Sequence, residues 1–86
     1  MISKQEHLND LAQKLDKLIL RAVREKRAVY IIELKIFKNT RLNGATEYTT
    51  HALRQTYNDL GALLGNLDAE MFKHEIDWCT ERTKAI

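Results

Sequence analysis

A heptad pattern on both sides of one turn signal, Asn43-Gly44, constrains this chain more than any other feature. Before the turn, Leu8, Leu11, Leu15, Leu18, Ala22, Val29, Ile32 and Ile36 recur at alternating steps of three and four, with Glu25 in the one gap. After it, Leu53, Tyr57, Leu60, Leu64, Leu67, Met71, His74 and Trp78 repeat the pattern. A stripe of that period lets two helices interlock side by side. The spacing predicts an all-α chain folded as an antiparallel helical hairpin in a single domain. Arm one covers about 4–40, the turn about 41–45 and arm two about 46–84.

Local signals agree with that outline. Glu6 and Asp10 stand near the start of the first arm, and Lys35, Lys38 and Arg41 near its end, as the helix dipole prefers. Asn43-Gly44 supplies a left-handed closing residue, and Thr46 followed by Glu47 suits an N-cap and first turn. Gly61 and Gly65 each cost a helix about 1 kcal/mol relative to Ala. Two outcomes therefore stay open for the second arm: one helix, or a break at Gly65-Asn66 with Asp68 capping a separate last helix.

Val29 to Phe37 is apolar at seven of nine positions. Val29, Ile32 and Ile36 belong to the seam, while Tyr30, Leu34 and Phe37, with Ile31 beside them, form a second stripe on the other side. A helix apolar on two sides is buried on two sides. The β-branched content also allows a strand, which would need a mate from outside the chain. On the helical reading one hairpin leaves the second stripe uncovered, and a homodimer making a four-helix bundle covers it.

Charge divides the chain. Residues 1–41 hold ten Lys and Arg against five Asp and Glu, a net +5, whereas residues 42–86 hold four against seven, a net −3. The lone Cys79 forms no internal disulfide, which fits a reducing, cytoplasmic setting. Residues 1–9 are polar and mixed in charge, unlike a signal peptide, and the longest apolar run, 28–32, is far too short to span a membrane.

No catalytic, cofactor or metal constellation accompanies the heptads. His7, His51 and His74 are scattered, and His74 with Glu70 and Cys79 lacks the clustered ligands of a metal site. Asp68, Glu70, Glu75 and Asp77 fall on different faces of a helix, and the three glycines match no phosphate loop. A long first helix carrying Arg24 and Lys35 is similar in architecture to the small all-helical chorismate mutases. An Arg near the chain start and an Arg-Glu pair after the turn are missing, so that activity is not expected.

The expected function is a non-enzymatic protein-binding module, a regulator, inhibitor or adaptor acting by helix-face docking and needing no cofactor. Its expected contacts are Tyr30, Ile31, Leu34 and Phe37, flanked by Arg27, Lys38 and Arg41, which would steer an acidic partner. The alternative is nucleic acid, with no membrane in either case. Lys14, Lys17, Arg21, Arg24, Lys26 and Arg27 would lie along a backbone in a dimeric bundle, with Tyr30 and Phe37 as stacking aromatics. In topology and heptad use this resembles the plasmid RNA-binding hairpin proteins of the Rop type. A second route is a weak helix-turn-helix around 60–76 with Gly65 in its turn.

Overall fold

The computed structural model describes residues 4–42 and 49–86. Four helices follow one another: α1 (Lys4–Arg24), α2 (Ala28–Arg41), α3 (Thr50–Asp68) and α4 (Lys73–Ala85). α1 packs on α2 and α3 on α4, so each expected arm is itself a helical hairpin. The chain divides into two compact units, residues 1–47 and 48–86. The all-helical expectation agrees with the structure, and no strand occurs among the described residues. Val29 to Phe37 lies wholly within α2, which corrects the strand alternative. The Asn43-Gly44 turn and the Thr46 cap lie outside the described residues.

The first arm departs from the expectation of one long helix. After Arg24 the backbone reverses through Glu25, Lys26 and Arg27. Arg27 N–H donates to the Ala22 carbonyl at 2.9 Å and Lys26 N–H to the Val23 carbonyl at 3.1 Å. That paired pattern is the Schellman motif, which normally places glycine at its left-handed position. Here the position is Lys26, at φ 56°. A residue that punctuates nothing by composition thus ends α1, and the periodicity runs through it unbroken.

Reversal resets the helical phase. In α1 the heptad residues Leu11, Leu15, Leu18 and Ala22 are buried, with Leu8 half-buried. In α2 the buried residues are Leu34 and Phe37, and the heptad residues Val29, Ile32 and Ile36 face outward. The seam assignment for 29–36 is therefore corrected.

The second arm repeats the lesson. Leu53, Tyr57, Leu60 and Leu64 are buried as their spacing requires. Thr49 caps α3, its side chain accepting from Ala52 N–H at 3.0 Å. Gly65 sits inside α3, and the break falls later, at 69–72, where Asp68 Oδ1 accepts from Met71 N–H at 2.9 Å. The expected role of Asp68 as the cap of the last helix is corrected: Asp68 ends α3, three residues beyond Gly65, and braces the turn, while α4 begins at Phe72 with no side-chain cap. In that turn Phe72 is buried and Met71 half-buried; past it Cys79 is buried, Trp78 is half-buried and His74 is exposed. The Trp78 ring meets buried Tyr57 edge-on at 5.5 Å, which ties α4 to α3. An edge-to-face pair adds about 0.5–1.5 kcal/mol beyond its burial.

Candidate interaction surface

α2 is the element on which the expected partner-binding residues lie. Leu34 and Phe37 are buried, and Tyr30 and Ile31 are half-buried. The polar flank is engaged within the same hairpin. Lys38 Nζ reaches Asp16 Oδ1 at 2.5 Å, joining α2 to α1. The Arg41 guanidinium lies 5.6 Å from the Phe37 ring centre, and that of Arg27 lies 5.7 Å from Tyr30. Leu34 and Phe37 are thus part of the hairpin's interior, and Lys38 secures that face from its edge.

The opposite side of α2 carries the open apolar surface. Val29, Ile32 and Ile36 are 63%, 55% and 52% exposed. Spaced i, i+3, i+7, they form one stripe along two turns of helix. Leu20 and Val23, near the end of α1, are also about half exposed. Among the described residues, every large hydrophobic side chain in this exposed class belongs to the first hairpin. The heptad spacing marked all three α2 residues as apolar, but assigned them to an internal seam. The one signal that they face outward, the left-handed residue at Lys26, leaves no mark in the composition.

The basic residues considered for nucleic acid lie along α1 and around the α1–α2 turn. Arg24, Lys26 and Arg27 are exposed around the turn, Lys17 is exposed on α1, and Lys14 and Arg21 are half-buried. The weak helix-turn-helix is corrected in its geometry: its proposed turn at Gly65 is helical, and the true turn lies at 69–72.

Among the described residues no three His, Cys, Asp or Glu side chains group to hold a metal ion. Cys79 is buried and packs beside Gly61, whose Cβ position would lie 3.4 Å from Cys79 Cβ. No helix among the described residues is long and apolar enough to cross a membrane. Comparison with known proteins finds no matching family model, no matching curated protein and no matching solved structure.

Proposed function

We propose that this chain is a non-enzymatic protein-binding module, a small regulator, inhibitor or adaptor, that docks through a helix face and self-associates as a homodimer. The observation that carries this reading is the exposed stripe Val29, Ile32 and Ile36 on α2. Exposed apolar side chains aligned on one helix face are what helix-in-groove recognition and helix pairing use. The docking face is then the reverse of the Tyr30, Leu34, Phe37 stripe, since Leu34 and Phe37 are already engaged inside the hairpin.

Native mass spectrometry of the purified protein and of Ile32→Lys tests this reading. The expected result is a wild-type dimer of twice the 10.0 kDa chain, which Ile32→Lys dissociates with helicity retained. A dimer indifferent to Ile32→Lys refutes the α2 face as the docking surface. The exposed cluster Arg24, Lys26 and Arg27 supports the second reading, nucleic-acid binding. Added nucleotide mass, together with affinity that falls steeply with salt, would favour it.

A further inference from the structure

We propose that the α1–α2 turn is a hinge, and that the first hairpin exchanges with a continuous α1–α2 helix paired antiparallel with a second copy of the chain. This rests on the outer face of α2 being the docking surface, and it names the occupant and the conformation. Four observations converge on it.

The heptad runs through the turn without a phase slip, from Leu8 to Ile36. The residues that break the helix, Glu25, Lys26 and Arg27, are all good helix formers with no Gly or Pro among them. Lys26 occupies the left-handed region, where a side chain is disfavoured. Finally, α2 begins at Arg27 with no side-chain cap, as α4 does at Phe72, but the α3–α4 turn is braced by the Asp68 side chain, whereas among the described residues no such side-chain hydrogen bond braces Glu25, Lys26 or Arg27. The first turn is therefore the weakly encoded one, and it sits where the sequence pattern asks for helix.

Straightening has a defined effect on the surface. Val29, Ile32 and Ile36 would join Leu11, Leu15, Leu18 and Ala22 in one stripe along a helix roughly 57 Å long at 1.5 Å per residue. That stripe is self-complementary when two copies run antiparallel. Leu11 meets Ile36, Leu15 meets Ile32, Leu18 meets Val29 and Ala22 meets Glu25, one residue of each pair from each copy. An interface in which residue i meets j and j meets i is the signature of a two-fold pair. This pairing covers Val29, Ile32 and Ile36, the α2 side chains that the hairpin leaves exposed, while Leu20 and Val23 lie off the stripe. The Asp16–Lys38 ion pair of the hairpin would be broken within each chain, and the two states bury opposite faces of α2.

Distance measurement between spin labels reads the hinge directly. Lys17→Cys and Asn39→Cys are placed in the full chain with Cys79→Ala, and the labelled protein is diluted into unlabelled chain. In the hairpin these positions lie beside each other, because Asp16 and Lys38 touch; in a continuous helix they stand about 33 Å apart. The expected result is that the long distance grows with protein concentration in step with the dimer. Lys26→Gly relieves the left-handed turn and weakens a straight helix, whereas Lys26→Ala keeps both the left-handed strain and the helix propensity. Between the two variants each hinge should shift by about tenfold, so their dimer dissociation constants should differ by about a hundredfold. A dimer that keeps the short distance, or equal dissociation constants for the two variants, overturns the hinge and leaves the docking face standing. A dimer unaffected by Ile32→Lys overturns the docking face itself, and a monomer at every concentration overturns both.

Discussion

Lys26 decides the course of the first forty residues. With φ at 56° it occupies a conformation that glycine adopts freely and lysine does not. Under dilute conditions, where the chain is monomeric, Lys26→Gly should raise the stability of the first hairpin by about 1 kcal/mol, read from urea melts. Gly65 is the complementary case. It is exposed within α3, and a Cβ added there would meet nothing within 4 Å. Gly65→Ala should stabilise by about 1 kcal/mol in the same melts, by helix propensity alone. Glycine at 65 suggested a break that helix packing overrides, and lysine at 26 concealed a break that main-chain hydrogen bonding makes.

At the scale of the element, heptad spacing named the buried apolar residues of α1 and α3, missed buried His7 and Thr56, and misassigned the face of α2. The difference is phase. Spacing identifies which residues share a face so long as the helix continues, and a reversal lets the next helix rotate to a new orientation. α2 is apolar on two sides, so either side can serve as its core face. Leu34→Ala, on the buried side, should cost about 2–5 kcal/mol of stability. Ile36→Gln, on the exposed side, should change monomer stability by less than about 0.5 kcal/mol. Equal costs in chemical denaturation would mean that both faces are core. α4 shows the same rotation on a smaller scale, with Phe72 and Cys79 buried where spacing favoured His74 and Trp78. The candidate surface was thus legible as an apolar segment, Val29 to Phe37, and illegible as a choice of side.

For the molecule as a whole, charge separates the two functional readings. The first forty-one residues carry a net +5, and pairing two copies through them sets like charge beside like charge. Added salt screens that repulsion, so the dimer should tighten as ionic strength rises. A nucleic-acid complex should weaken over the same range, because counterion release favours dissociation as salt is added. A salt titration followed by light scattering, with and without an RNA probe, distinguishes them by the sign of the slope.

What the sequence determined by itself is the helical class, the period of burial and the internal faces of α1 and α3. These follow from local propensity and from residues a few positions apart, which are close in any helix. Only the tertiary structure decided where each arm doubles back and which side of α2 and α4 is buried. The turns at 25–27 and 69–72 form because hairpin packing, the Asp16–Lys38 pair and the Tyr57–Trp78 contact join residues about twenty apart in the chain. No window of local sequence contains both partners of such a contact, so their balance against a straight helix appears only once the chain has folded.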